Sequence, residues 1–344
     1  MKILIITQRI NINDPVLGFF HRWVAEFAKH FEKVTVICLE KGEYDLPSNV
    51  KVLSLGKEQK QSRKQYLARF YSYIWQERKN YDVVLSHMNQ EYVLLAGFFW
   101  WLFGKKIYMW RNHHVGDELT NMAAFFCKKV FCTSRFSYTA KFRKTVLMPI
   151  GIDLNRFKPM AEQKRKPRSI LFLARMSPVK KPDLLLKALH SLSEKGVTYS
   201  ASFYGDPELK DESYFESLKK SVEDYKISDS VKFFEAIPNE KTVAVYNDNE
   251  IFVNLSSSGM YDKTIFEAMA CGCLVLASNE NLRGNIDSRF IFKDDSLEEL
   301  ITKLNILLDL SDADKTRLGL CLRDYALANH SLPSLGEKLV KEML

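Results

Sequence analysis

The chain lacks an apolar run long enough to span a bilayer. Its longest, Tyr92–Phe103, falls short of the ~20 residues a helical crossing needs. The opening Met1-Lys2-Ile3-Leu4-Ile5-Ile6-Thr7 is shorter than the core of a secretion signal, and Gln8-Arg9 follow at once. No leader is expected, and the run reads as a first buried strand. Metal-ligand spacing among the cysteines is also lacking. Cys38, Cys127, Cys132, Cys271, Cys273 and Cys321 lie apart in apolar surroundings. Only Cys271-Gly272-Cys273 are close, with one residue between the thiols where zinc or redox pairs usually have two. Reduced, buried thiols are expected, with no metal. There is no low-complexity stretch, no short repeat and no segment polar enough to be a disordered tail.

What the sequence has is ordinary globular material. At 344 residues, 46% apolar and 27% charged, it can bury two α/β cores or one large one. The net charge of +8 fits nucleic acid, acidic lipid or a phosphorylated substrate. The basic residues are dispersed, with one denser run from Lys57 to Lys79, so charge alone does not choose. No nucleic-acid-binding motif accompanies them.

Short β-branched runs alternate with amphipathic stretches. In the first half, Lys2–Thr7, Val34–Cys38, Val50–Leu55, Val83–Ser86, Lys106–Met109, Val130–Thr133 and Val146–Met148 read as strands. Phe19–His30, Arg63–Glu77 and Tyr92–Phe103 read as helices. Pro149–Asp153 is rich in turn residues, and Lys158–Arg168 is polar with two prolines. The alternation then restarts. Strands are expected at Ile170–Ala174, Tyr199–Tyr204, Val231–Phe234, Ile251–Leu255 and Leu274–Ala277, and helices at Pro182–Lys195, Glu212–Tyr225, Lys241–Asn247 and Thr264–Ala270. This pattern implies two doubly wound parallel sheets, with boundaries placed at 1–155 and 156–327. Ligands in such sheets bind at the carboxyl ends of the strands, here expected to face each other across a cleft.

Four elements at those ends could carry chemistry. Strand Ile251–Leu255 runs through Ser256-Ser257-Ser258-Gly259-Met260-Tyr261-Asp262-Lys263 into a helix. Small residues feeding a helix N-terminus suit an anion, because free amides and the helix dipole both favour one. Asp262 can cap that helix, Thr264 can donate a hydroxyl, and Glu267 can accept from a ribose diol. The plainer alternative is an ordinary capped helix with Glu267 in solvent. In Leu173-Ala174-Arg175-Met176-Ser177-Pro178-Val179-Lys180, Arg175 and Lys180 could grip a diphosphate or be a solvated basic loop. His113, in Met109-Trp110-Arg111-Asn112-His113-His114, could meet sugar hydroxyls or be structural. Gly18, in the turn Asp14–Phe20, would let backbone approach a ligand.

Taken together these segments resemble the retaining glycosyltransferases of family four, glycosyl transferases group 1, which have the GT-B fold. The resemblance covers almost the whole chain and is strongest from Pro149 to Ala277. Pro149-Ile150-Gly151-Ile152-Asp153…Phe157-Lys158-Pro159 is similar to the family's N-G-I/V-D…F-x-P segment. Leu173-Ala174-Arg175…Lys180 resembles its G-R-L…K-G loop, and Phe266–Val275 its L-E-A-M-A-x-G-x-P-V segment. The resemblance implies that Glu267 holds the ribose, and that Arg175 and Lys180 hold the diphosphate. It places His113 and Gly18 by the donor sugar, the base against backbone near Ala236-Ile237, and Lys263 and Thr264 in the donor site. It also implies a final helix, about 328–344, packing back on the first domain, which would bind the acceptor. Three positions depart from the pattern. Gly259 stands where the family has a first glutamate, Lys181 where it has a glycine, and the glycine-rich first loop is reduced to Gly18. Asp262 could stand in as the carboxylate that reads the sugar.

The expected activity is metal-independent, retaining hexosyl transfer from a UDP- or GDP-sugar substrate to a glycan, lipid-linked or small-molecule acceptor, with no cofactor. The acceptor hydroxyl would attack from the face the diphosphate leaves, and the leaving phosphate would take the proton. His113 and Asp262 are the candidate catalytic residues. The alternative is a degenerate, non-catalytic binding or scaffold subunit, which Gly259 favours. A GT-B phosphorylase would need a cofactor lysine that has no place here. A cytoplasmic protein is expected, with a membrane-face option: Gly97–Lys106 sets aromatics beside lysines as interfacial helices do, or is simply a helix packed on the sheet.

Overall fold

The computed structural model describes residues 1–344 apart from Pro15 and Met260, so those two members of the Asp14–Phe20 turn and the Ser256–Lys263 loop lie outside the described residues. The chain runs β1 (Lys2–Ile10), α1 (Gly18–Ala28), β2 (Lys33–Lys41), β3 (Val50–Ser54), α2 (Arg63–Gln76), β4 (Val83–His87), α3 (Glu91–Leu102), β5 (Lys106–Trp110), α4 (Glu118–Phe126), β6 (Lys129–Cys132) and β7 (Thr145–Leu147). It continues with β8 (Ser169–Leu173), α5 (Pro182–Glu194), β9 (Ser200–Tyr204), α6 (Glu212–Asp224), β10 (Val231–Phe234), α7 (Thr242–Asp248), β11 (Ile251–Asn254), α8 (Lys263–Ala270), β12 (Leu274–Ala277), α9 (Leu297–Leu308), α10 (Asp312–His330) and α11 (Leu332–Met343).

The strands form two parallel sheets, ordered β3-β2-β1-β4-β5-β6-β7 and β10-β9-β8-β11-β12. Two compact units result: Met1–Gly151 with Leu332–Leu344, and Ile152–Ser331. The expected boundaries at 155/156 and 327/328 are therefore displaced to 151/152 and 331/332. The physical reason is pairing: Ile152 bridges Ser331 and donates to the His330 carbonyl, so both crossings lie side by side.

The first sheet buries both faces, which the continuous apolar run of β1 requires. Ile3 and Ile5 point to one core, with Phe20, Trp23, Val24 and Phe27 of α1 and Leu335 and Leu339 of α11. Leu4 and Ile6 point to the other, with Phe70 and Ile74 of α2, Trp100 of α3 and Ala123 of α4. The period of two along the strand thus meets a helix stripe at i, i+3, i+4, i+7. α11 is fixed in this unit by Tyr108, whose hydroxyl donates to the Met343 carbonyl at 2.9 Å.

In the second unit α8 is apolar nearly all round and buried over Ile265–Ala270. α10 covers it, and Gly319 allows this because a Cβ there would run into the Gly272 carbonyl. The strand order reverses between β8 and β11, which are neighbours in the sheet. The loops after these two strands leave the same edge at a switch point, and this adjacency builds the site below.

Candidate functional site

Two loops meet at the carboxyl edge of β8 and β11. The first, Ala174–Lys181, ends in a single 3₁₀ turn over Pro178–Lys180. The second runs from β11 to Asp262, which caps α8 by accepting from the Thr264 amide at 3.3 Å and its hydroxyl at 3.0 Å. Lys180 reaches across. Its ammonium donates to Asp262 Oδ2 at 2.7 Å and to Ser256 Oγ at 2.8 Å. Ser256 Oγ donates to the same Asp262 oxygen at 2.9 Å, and Asn254 Nδ2 lies 3.3 Å from it. Burial alone would raise the Asp262 carboxyl; the Lys180 charge and the donors from Lys180, Ser256 and Asn254 overcome it and hold it far below the usual range. Asp262 is an anion at any working pH.

One turn along α8 lies a second cluster. Glu267 is 2% exposed, so the reading of a solvated surface glutamate is overturned. Its Oε1 accepts from Asn239 at 3.1 Å and pairs with Lys263 at 2.8 Å, and its Oε2 accepts from the Tyr246 hydroxyl at 3.2 Å. The Tyr246 phenol is pushed well above its usual value by burial and by the Glu267 charge, so it stays a donor. A carboxylate offers about four lone-pair positions, and protein donors use three of them.

The structure thus joins Lys180, Asp262 and Thr264 in one network and Lys263 with Glu267 in an adjoining one. Arg175 stands apart from both networks: it is exposed and paired with Glu208. Its loop is tied to the turn after β9, where the Met176 amide donates to the Asp206 carbonyl at 3.1 Å. Asp206 Oδ1 in turn accepts from the Ala236 amide at 3.1 Å, beside the half-buried Ile237. His113 and Gly18 belong to the first unit. His113 follows β5, is exposed, has Nδ1 3.0 Å from both the amide and the carbonyl of Val115, and stacks on His114. Gly18 is the first residue of α1 and is buried. A Cβ there would lie 3.0 Å from the Ile12 carbonyl, so its small size serves close packing of its own loop.

Sequence reasoning missed Asn254, Asn239, Tyr246 and Glu208, and assigned no role to Ser256. Asn254 had a signal: a polar residue closing the apolar strand Ile251-Phe252-Val253. Tyr246 had none, being one aromatic in a seven-residue helix. Lys181, in the place of a family glycine, adopts a left-handed φ of 53° and pairs with Asp294 and Asp295 at 2.8 and 2.7 Å, outside the site. Among the described residues no three His, Cys, Asp or Glu side chains are grouped to hold a metal ion.

Residues 155–317 match the family model of glycosyl transferases group 1. A D-inositol 3-phosphate glycosyltransferase of Frankia alni is 30% identical over 148 residues, 40% of this chain and 36% of that protein. Spore coat protein SA of Bacillus subtilis is 26% identical over 233 residues, 60% of each. The chain therefore spans between about a third and three fifths of the length of these curated relatives. The structure of Anabaena Alr3699/HepE in complex with UDP overlays with a TM-score of 0.79 at 17% identity, covering 100% of this chain and 99% of that one. The likeness is one of fold: two Rossmann-like parallel α/β domains of the GT-B class, the class expected from the sequence.

Proposed function

We propose that this chain, whose residues 155–317 match the glycosyl transferases group 1 model, is a glycosyltransferase that takes a UDP- or GDP-sugar and passes the sugar, with retention and without a metal, to a glycan, lipid-linked or small-molecule acceptor. The observation that carries the reading is the Lys180–Asp262–Thr264 network at the N-terminus of α8, with Glu267 one turn further along the same helix.

The residues divide the work by their freedom to move. An ammonium has three protons; Asp262 and Ser256 take two of Lys180's, leaving one for a phosphate oxygen. Lys180 is therefore a fixed post. Arg175 is the mobile cation. Its ion pair with Glu208 is exposed at both ends, so exchanging Glu208 for a diphosphate costs little. The first amides of α8 add partial positive charge where the leaving group accumulates negative charge. Glu267 offers its remaining lone pair to a ribose hydroxyl, and Asn239, on a loop, can yield a second position. Tyr246 fixes the carboxylate from behind. Asp262 reads the sugar hydroxyls in place of the glutamate whose position Gly259 occupies, by exchanging one of the donors from Ser256, Asn254 or Thr264 that now fill both its oxygens, and His113 is the candidate partner of the transferred sugar. The base rests near Ile237, and no cofactor is needed. The acceptor hydroxyl forms its bond to the anomeric carbon as the bond to the diphosphate breaks, and its proton passes to the departing phosphate oxygen.

Thermal shift against UDP, GDP and their sugars tests the donor site, because a ligand at ~100 times its Kd stabilises by about 2.7 kcal/mol. UDP or GDP should raise the melting midpoint of the parent protein, and E267A and R175A should lose most of that rise. Unchanged binding in both variants would remove the site assignment. Slow hydrolysis of the donor separates an enzyme from a binding subunit, the anomeric configuration of the product tests retention, and insensitivity to EDTA tests metal independence.

A further inference from the structure

α3 has the sequence Glu-Tyr-Val-Leu-Leu-Ala-Gly-Phe-Phe-Trp-Trp-Leu, apolar on every side. A helix of that kind is normally covered all round or lies against lipid. Here only half is covered. Tyr92, Val93, Ala96, Gly97 and Trp100 face the sheet, whereas Leu95, Phe98, Phe99, Trp101 and Leu102 are exposed, Trp101 by 66%. The neighbouring helices continue the surface. On α4, Leu119, Met122 and Phe125 are exposed, Phe125 by 79%. On α2, the Tyr71 ring lies 5.8 Å from Phe99, and Trp75 lies 5.8 Å from Phe103. So wide an apolar face is far from the scattered single residues that a soluble surface tolerates.

The charge beside this face is mostly positive, with Glu32, Glu77, Asp82 and Glu342 interspersed and Lys2 and Lys129 paired to Glu32 and Glu342. α2, α3 and α4 each lead into the next strand of a parallel sheet, so their C-termini share the edge at which the strands begin. Four of the seven strands begin on lysine, at Lys2, Lys33, Lys106 and Lys129. The helix ends add Arg78, Lys79, Lys105 and Lys128. The Arg78 guanidinium stacks 4.2 Å over Trp75. The charges acting on Lys128 are those of Lys106 and Lys129, both positive, and they push it below its usual value. Aromatic rings at helix ends next to lysine and arginine are the residue types that settle at the boundary of lipid headgroups and acyl chains. Among the described residues no helix is long and apolar enough to cross a membrane, so the contact would be with a surface.

We propose that the outer face of α2, α3 and α4 docks this protein on an anionic lipid surface. Trp101, Phe98 and Phe125 enter the boundary layer, while Arg78, Lys106 and Lys128 meet the headgroups. A second copy of the chain fits this face less well. A two-fold contact would set the basic edge against itself, and the net charge of +8 adds to the repulsion. The inference uses no residue of the donor site, so it stands or falls apart from the proposed chemistry.

The test is sedimentation of the full chain with phosphatidylcholine vesicles, with and without phosphatidylglycerol. The parent protein should pellet only with the anionic vesicles and be released as ionic strength rises. Each acidic phospholipid–lysine contact near the surface is worth about 1 kcal/mol, so K106E/K128E should weaken binding about tenfold or more. F98S/W101S should do the same, and both positions are exposed, so the core is untouched. Circular dichroism and thermal melting verify folding, and light scattering reports the oligomeric state. Failure of the parent to pellet with anionic vesicles would overturn the proposal. So would folded double variants that bind undiminished, or a parent dimer that F98S/W101S turns into a monomer without any vesicle binding by either.

Discussion

At the scale of single residues, the question is what an aspartate does beside a lysine at a helix N-terminus. Asp262 neutralises Lys180 at 2.7 Å and caps α8, so it is both an electrostatic brake on anion binding and a structural cap. The substitution D262N keeps the capping oxygen and removes the charge. It is expected to lower stability by about 1–3 kcal/mol, because the partly buried Lys180 loses its counter-charge. Calorimetry should show UDP binding as tight as in the parent or tighter, since Lys180 is then uncompensated. Transfer should fall by about 100-fold or more if Asp262 touches the sugar. Weaker UDP binding with unchanged transfer would refute both roles. Tyr246 is a positioning residue, and Y246F should raise the donor KM by about three- to tenfold with little change in kcat, consistent with one lost hydrogen bond. Much of this site was legible in the sequence, because Arg175, Lys180, Asp262 and Glu267 sit in short local patterns. Their partners were not, because Asn239, Tyr246 and Glu208 are brought in by tertiary packing from three other loops and helices.

At the scale of elements, the site depends on two turns held together. Gly205, just after β9, has a φ of 143°, and a Cβ there would collide with the Ala174 carbonyl. No rotamer relieves this, since the obstacle is backbone. G205A should therefore cost about 2–3 kcal/mol or more and displace the Arg175 loop. A thermal melt reads the first effect, and a loss of nucleotide affinity reads the second. A G205A protein as stable as the parent would show that the two turns are not locked. The strands were legible because β-branched runs bounded by turn residues leave few alternatives; β10 and β12 fall on the expected residues. Three helices were not assigned. α4 carries an Asp117–Thr120 capping box, but its exposed Met122 and Phe125 blur the amphipathic pattern. α10 covers an already apolar helix and shows almost no one-sided pattern of its own. α9 has its Ser296 cap and buried Leu300, Leu304 and Leu307, and followed the last strand that the alternation predicted.

At the scale of the whole molecule, both units carry buried histidines: His21 and His87 in the first and His330 in the second, each pushed down by burial. In the first unit His87 closes β4, is 2% exposed, stacks on Phe20 at 3.7 Å and meets the Thr7 hydroxyl at 3.1 Å. In the second unit His330 is 7% exposed and packs on the Phe266 ring at 4.0 Å. Burial pushes both down to about 3 from an ordinary 6.5. Between those values the unfolded chain binds a proton that the folded chain refuses, so stability rises with pH across the window and is lost as pH falls below 6.5. Each histidine contributes a slope of about 1.4 kcal/mol per pH unit, so at about pH 4.5 each unit is weaker by about 2–3 kcal/mol. Carboxylates such as Asp262, whose pKa values are depressed, act in the opposite part of the scale. Their stabilisation is full above the ordinary carboxylate range and begins to fade near about pH 5, so the interval from pH 6.5 to about 5.5 reads the histidines. Melting midpoints taken across that interval should fall steadily for the parent protein. H87F, which keeps a ring against Phe20, should reduce the fall for the first unit to the share of His21, leaving the acid sensitivity that His330 gives the second. A first-unit slope as steep in H87F as in the parent would mean that His87 is not the group that titrates.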